Sequence, residues 1–185
     1  MTYTDISTDW TDVTALLHRS QDAVSAAIQR MRQRLPFPLL GIDSDNGSEF
    51  VNDSLNRYCL NEKLTFTRSR PYPKNDQAHV EQKNWSVVRH TVGYDSRETE
   101  QKQTLLERIY EHLRLYINFF QPSFKLIAKK RMGNRTIKRY DTAKTPYQRI
   151  LERKDISLEA KAKLMNMYVQ LNPAELRRQI DQTIA

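Results

Sequence analysis

Two carboxylates, Asp45 and Glu81, stand in sequence surroundings that favour a role in chemistry. Asp45 follows the apolar residues 38–42, which predict a buried strand, and open α/β sheets bind ligands at the carboxyl ends of their strands. Glu81 falls on a predicted helix after a proline-containing loop, and thirty-five residues separate it from Asp45. Each acid also has a simpler interpretation, because Asp-Asn-Gly is a favoured turn sequence and a solvated glutamate is common on helices.

The sequence around these acids resembles the second and third acidic motifs of the DDE integrase and transposase catalytic core. That family includes bacterial insertion-sequence transposases and retroviral integrases. The resemblance is carried by DSDNGSEF at residues 43–50, by the interval of thirty-five residues, and by RSRPYPKNDQAHVEQKN at residues 68–84. It runs from about residue 2 to residue 147 and includes NFFQPSFKLIAKKR after the core. It implies an α/β fold of the ribonuclease-H-like class, with a mixed five-stranded sheet between helices.

The resemblance also implies a reaction, namely metal-dependent cleavage and transfer of DNA strands during DNA integration. Asp45 and Glu81 would then be catalytic residues and metal ligands. Such phosphodiester chemistry uses two divalent ions about 3.5–4 Å apart, one at the attacking oxygen and one at the leaving oxygen. The expected metal is Mg²⁺ or Mn²⁺, since Mg²⁺ prefers carboxylate oxygens. The attacking group would be water or a DNA 3′-hydroxyl.

A third carboxylate, on the first strand of the sheet, completes the site in this family, and the sequence offers no clear match for it. The opening residues correspond to the end of the second strand and the start of the third, so the first strand would precede Met1. Asp5, Asp9 and Asp12 align near the strand turn instead. We therefore expect an N-terminally truncated core with weak or no strand-transfer activity. The missing strand lies mid-sheet in the related folds, so its absence would expose two strand edges.

Positive charge is concentrated in one stretch of the chain. The 185 residues include 30 Lys and Arg against 22 Asp and Glu, for a net charge of +8. Residues 121–154 alone hold 11 basic and 2 acidic side chains, a balance of +9. Such a stretch suits a phosphate backbone, because each neutralised phosphate releases counterions. A solvated basic loop without a ligand is the simpler alternative.

We predict that the partner of this charge is DNA, at the element ends and the target. The predicted DNA-binding residues are Arg68, Arg70, Lys74, Lys83, Arg89, Lys129, Lys130, Arg131, Lys138 and Arg139. Those before residue 90 would form a basic rim beside the acidic site, although ordinary exposed helix charges would give the same pattern.

Hydrophobic periodicity predicts the elements that position these residues. The predicted elements are a half-buried strand over 11–17, a helix from Ser20 to before Pro36, a buried strand over 38–42, a helix from near Asn52, a short strand over 64–67, a helix over about 77–92, and a long helix over 100–120 that stops before Pro122. The basic stretch has weak β character around a turn at Gly133-Asn134. Two short helices follow it, the second from Asn172-Pro173.

Composition excludes several classes of protein. The single cysteine, Cys59, excludes a disulfide scaffold and a cysteine-rich zinc module, and it is expected to be a buried packing residue. No apolar run approaches the roughly 20 residues of a membrane span, and the start lacks the features of a signal peptide. Four glycines in the whole chain argue against a phosphate-cradling loop and a nucleotide cofactor. We therefore expect a cytoplasmic protein with no membrane partner.

The chain divides into a predicted integrase catalytic core over residues 1–120 and a basic segment with C-terminal helices over residues 121–185. The alternative is a non-catalytic DNA-binding remnant or a regulator. Either protein would assemble as a homo-oligomer or with a full-length transposase. A third class, a ribonuclease-H-type nuclease acting on RNA–DNA hybrids, is disfavoured by the DNG motif and the interval to Glu81.

Overall fold

The computed structural model describes residues 1–16, 20–44, 53–68, 99–133 and 135–184. In chain order the elements are β1 (Thr2–Thr4), β2 (Thr11–Val13), α1 (Gln21–Arg34), β3 (Gly41–Ser44), α2 (Asp53–Asn61), β4 (Thr65–Arg68), α3 (Glu100–Phe120), β5 (Leu126–Met132), β6 (Arg135–Tyr140), α4 (Pro146–Glu152), α5 (Leu158–Gln170) and α6 (Pro173–Ile184). The protein is therefore mixed α/β, which confirms the predicted class at that level. No helix in these ranges combines the length and apolarity needed to cross a bilayer.

The strands of the described ranges form three pairs. Strands β1 and β2 are antiparallel, β3 and β4 are parallel, and β5 and β6 form an antiparallel hairpin. Gly41 permits the parallel pair, because a Cβ atom at this position would lie 2.8 Å from the Thr65 carbonyl oxygen. Any side chain at this position would therefore push β3 away from β4.

Local sequence signals fix the helix ends where the sequence predicts them. Ser20 Oγ accepts a hydrogen bond from the Ala23 backbone N–H at 3.2 Å and caps α1. Thr99 caps α3, and Asn172 Oδ1 accepts from the Ala174 N–H at 2.9 Å at the start of α6. The predicted helix over 100–120 and the predicted starts of α1 and α6 are confirmed.

Three predictions about the elements are wrong. Strand β2 is buried on both sides rather than half-buried, because Asp12, on its polar side, is covered and paired with Arg34. The buried strand predicted over 38–42 begins only at Gly41, and Leu40 before it is 76% exposed. Three helices follow the hairpin rather than two, since a capping box between Thr145 and Gln148 starts the additional helix α4.

Helix α3 organises the core, since both large hydrophobic clusters contain its buried residues. The first cluster joins it to β2 and α6 and contains Val13, Ala15, Ile109, Tyr110, Leu113, Ile117 and Ile180. The second joins it to α4 and α5 and contains Trp10, Phe119, Tyr147, Ile150, Ile156 and Leu164. Both clusters include residues from each side of the boundary predicted after residue 120. Cys59 on α2 is fully buried, as predicted.

Candidate nucleic-acid interface

The predicted catalytic residues and metal ligands, Asp45 and Glu81, lie outside the described residues. The same holds for four predicted DNA contacts, Arg70, Lys74, Lys83 and Arg89. Arg68 ends β4, its side chain lies outside the described part, and its backbone pairs with Ser44, the residue before Asp45. Among the described residues, no group of three His, Cys, Asp or Glu side chains is placed to hold a metal ion.

The other five predicted DNA contacts come together on the hairpin of β5 and β6. Lys129, Lys130 and Arg131 lie on β5, and Lys138 and Arg139 lie on β6. Every residue of both strands is exposed. Arg135, which the sequence analysis did not single out, adds a sixth exposed cation at the start of β6. We call these six residues the hairpin cations.

The hairpin cations have no carboxylate partner in the described part of the chain. Residues 125–140 contain no Asp or Glu, and none of the ion pairs of the described residues involves a hairpin cation. Lys129 lies directly opposite Lys138 in the strand register, and like charges in that position are destabilising. A polyanion bound along the hairpin would offset this repulsion.

A polar network fastens the base of the hairpin to the body of the protein. The Lys125 backbone N–H donates to Asp141 Oδ1 at 2.6 Å, and the Asp141 N–H donates to the Lys125 carbonyl at 2.9 Å. The buried Arg149 donates to Asp141 Oδ2 at 2.6 Å and to the Ser123 carbonyl at 2.7 Å. This guanidinium, together with the Lys125 N–H, holds the pKa of Asp141 below its ordinary value.

Asp9 also belongs to this polar network, which we call the hairpin anchor. It lies between β1 and β2, is buried, and adopts a φ of 62°, in the left-handed region that non-glycine residues seldom occupy. Ser123 Oγ donates to Asp9 Oδ2 at 2.9 Å, and Lys125 Nζ lies 3.5 Å from Asp9 Oδ1. Asp5 also lies in this turn, and its carboxylate accepts from the Thr8 N–H at 2.7 Å. Asp5 and Asp9 thus lie near the strand turn, as predicted, whereas Asp12, predicted there too, lies within β2.

Ten of the eleven cations of the basic stretch fall into two groups, and the eleventh, Lys154, is exposed outside the hairpin. Lys125, Lys144, Arg149 and Arg153 are held in ion pairs, and of these Arg149 is buried. The hairpin cations are exposed and lack such partners in the described residues. One signal could have located this second group, since the acid-free run between Lys125 and Asp141 coincides with the hairpin.

The chain is similar in sequence to a longer curated protein. No family model matches the sequence. The chain is 46% identical over 149 residues to the uncharacterized protein y4rM of Sinorhizobium fredii (strain NBRC 101917 / NGR234). The match covers 80% of this chain and 43% of that protein, so the chain spans less than half the length of this curated relative.

Proposed function

We propose that this chain binds DNA through the β5–β6 hairpin, as part of a DDE-type integrase or transposase. The observation that carries DNA binding is the group of six exposed cations on a hairpin that contains no acidic residue. A phosphate backbone is the natural complement of such a group, because each contact releases condensed counterions. Phosphate contacts of this kind position a protein on nucleic acid without reading its sequence.

The packing of the strands on α1 supports a ribonuclease-H-like core. Tyr3 on β1, Ile42 on β3 and Phe66 on β4 all pack against the buried side of α1. An antiparallel pair and a parallel pair thus share one covering helix, without a strand joining them in the described residues. In the related folds the first strand lies mid-sheet, paired on both sides. The resemblance implies a mixed sheet, and antiparallel and parallel pairs packed on one helix agree with it.

The catalytic part of the proposal rests on the resemblance of the acidic motifs. Asp45 directly follows Ser44, the last residue of β3, and β3 is parallel to β4. The carboxyl ends of parallel strands are where open α/β sheets bind ligands. Asp45 and Glu81 would hold Mg²⁺ or Mn²⁺ for strand cleavage and transfer. Since no acid in the sequence clearly fills the third position, we propose weak or absent strand transfer.

A second candidate is a non-catalytic DNA-binding protein that regulates a full-length transposase. The observation that favours it is the set of described contacts that hold the hairpin. The hairpin is anchored by Asp9, Asp141 and Arg149, and none of these belongs to the predicted catalytic pair. Binding would therefore persist in a protein whose catalytic carboxylates are incomplete.

A DNA-joining assay with Mg²⁺ separates the two candidates. The native chain is incubated with element-end DNA and a target, beside the Asp45→Asn and Glu81→Gln variants. Joining that both substitutions abolish would establish the enzyme and overturn the proposed weak activity. We expect little or no joining by any of the three proteins, together with DNA binding that weakens steeply with salt and survives Asp45→Asn. Absence of salt-dependent DNA binding by the native chain would refute the proposed function.

A further inference from the structure

The strand register assigns the hairpin cations to two opposite faces. Directly paired residues of an antiparallel ladder point to the same face, and the faces alternate along each strand. Lys129 pairs with Lys138, and Arg131 lies two residues beyond Lys129, so these three residues share the first face. The second face carries the other three cations, Lys130, Arg135 and Arg139. The charge is therefore divided equally between the two faces.

Neither face of the hairpin is covered by the described residues of the chain. All residues of β5 and β6 are exposed, including Ile137 at 53% and Met132 at 56% on the second face. The hydrogen bonds and ion pairs that hold the hairpin lie at its base, around Asp141 and Arg149. The hairpin thus projects as a two-stranded ribbon, and an isolated ribbon of this kind is marginally stable in water.

We propose that this ribbon enters the major groove of B-form duplex DNA, so that each face meets the phosphates of one groove wall. The proposal rests on the proposed function, DNA binding by the same hairpin. A ribbon that lay flat on one backbone would need cations on a single face. A major groove is about 12 Å wide and 8.5 Å deep, admits a two-stranded ribbon, and has phosphates on both sides.

The dimensions and side chains of the ribbon fit this position. Six residues from Arg135 to Tyr140 extend roughly 20 Å at about 3.4 Å per residue, which follows the groove over several base pairs. Met132 and Ile137 lie on the second face beside its cations, so this face presents apolar as well as charged side chains. Double-stranded RNA is a poorer fit, because its major groove is deep and narrow. An anionic bilayer would engage one face rather than both.

Two matched triple variants test the insertion. The first removes the cations of the first face, as Lys129→Gln, Arg131→Gln and Lys138→Gln. The second removes those of the second face, as Lys130→Gln, Arg135→Gln and Arg139→Gln. A control variant, with Lys163→Gln, Arg177→Gln and Arg178→Gln, removes the same charge from exposed positions on α5 and α6. Circular dichroism verifies that each variant is folded.

The readout is the affinity for a DNA duplex, measured by fluorescence anisotropy over a range of salt concentrations. We expect each face variant to make the slope of log K against log salt shallower by about 2.7, that is about 0.9 for each phosphate that the variant no longer neutralises. The control variant should keep the native slope. Dimethyl sulfate should methylate guanine N7 in the major groove less in the native complex than in free DNA. A duplex RNA of the same sequence should bind at least about tenfold more weakly.

The outcomes distinguish this inference from the proposed function. If only one face variant changes the slope, or guanine N7 stays fully reactive, the ribbon lies on the backbone and the insertion is refuted, while DNA binding stands. If neither face variant changes the slope of a protein that binds DNA, another surface is the interface, and both the insertion and the proposed role of the hairpin are refuted. If the native chain binds phosphatidylserine vesicles but no DNA, both the insertion and the proposed function fail.

Discussion

Two populations of cations in this protein, those in buried ion pairs and the hairpin cations, differ in whether a carboxylate partner holds them. Arg34 donates to both oxygens of the buried Asp12, at 3.1 and 2.6 Å, and Arg149 donates to Asp141 at 2.6 Å. The hairpin cations, in contrast, are exposed and have no carboxylate partner among the described residues. A net charge counts both populations equally, but the cations in buried ion pairs are already neutralised within the fold.

The pKa directions agree with this division. Burial raises the pKa of Asp12 despite its hydrogen bonds from Arg34, and burial lowers the pKa of the neighbouring Arg114 guanidinium. Taking these charges out of water is costly, and mutual pairing offsets the cost. The paired population is therefore fixed by the fold, and losing one partner should leave the other uncompensated.

The largest expected change in the free energy of unfolding comes from replacing a buried member of the ion pairs. Asp12→Ala leaves Arg34 and Arg114 without their carboxylate, and we expect the free energy of unfolding to fall by about 3–5 kcal/mol. Asp155→Ala is a matched control, because Asp155 also accepts two hydrogen bonds from one arginine, Arg153, but its side chain is 60% exposed. The control should lose less than about 1 kcal/mol in urea unfolding. Equal losses of stability in the two variants would contradict the distinction between buried and exposed ion pairs.

The next effect concerns the anchor at the base of the hairpin. Arg149→Leu removes the donor to Asp141 and to the Ser123 carbonyl, and we expect unfolding to become easier by about 2–3 kcal/mol. Arg149→Lys keeps the charge but cannot reproduce both hydrogen bonds, so its loss should be intermediate. A Leu variant as stable as the native chain would show that the anchor is dispensable.

A smaller effect is the pH dependence of stability, which should have opposite signs for two carboxylates. The pKa of Asp141 is lowered in the fold, so its contribution to stability is present above its unfolded pKa, near 4, and is lost as the pH falls. The pKa of Asp12 is raised, so its contribution is present below about pH 4 and is lost as the pH rises.

Urea midpoints over an acidic pH series measure both contributions. Relative to the native chain, Asp141→Asn should lose less stability on acidification below about pH 4. Relative to Asp12→Asn, the native chain should become less stable as the pH rises above about 4. If the urea midpoints of the two variants, each relative to the native chain, changed with pH in the same direction, the assigned directions of the two pKa shifts would be wrong.

The smallest expected effect on stability belongs to the hairpin cations. Replacing all six by Gln removes no ion pair of the described residues and relieves the repulsion between Lys129 and Lys138. We expect the free energy of unfolding to change by less than about 1 kcal/mol, or to rise slightly. A large loss would mean that these side chains serve the fold, as the buried arginines do.

The sequence predicts best the features that depend on neighbouring residues. The bounds of α3 follow from the periodicity of its apolar residues, the cap at Thr99 and the stop at Pro122. The hairpin follows from weak β character and from a turn at Gly133, which adopts a φ of 59°. Its exposure is consistent with a run of residues that has no acid and little apolar periodicity.

Features that depend on distant residues could not be predicted. The alternation around Asp12 indicates an exposed polar side, and only Arg34 and Arg114, 22 and 102 residues away, explain its burial. In the same way, Lys125 and Arg149 belong to a basic stretch but are held by Asp9 and Asp141. Which cations are free is thus decided by tertiary contacts, and the acidic site of Asp45 and Glu81 still rests on its sequence motif.

We propose the hairpin cations as the contact surface for DNA. The most direct test is the slope of log K against log salt for a DNA duplex, compared between the native chain and the variant with all six cations changed to Gln. We predict that the variant slope is shallower by about 5, from six neutralised phosphates at about 0.9 each. A variant that binds DNA with the native slope would contradict the claim.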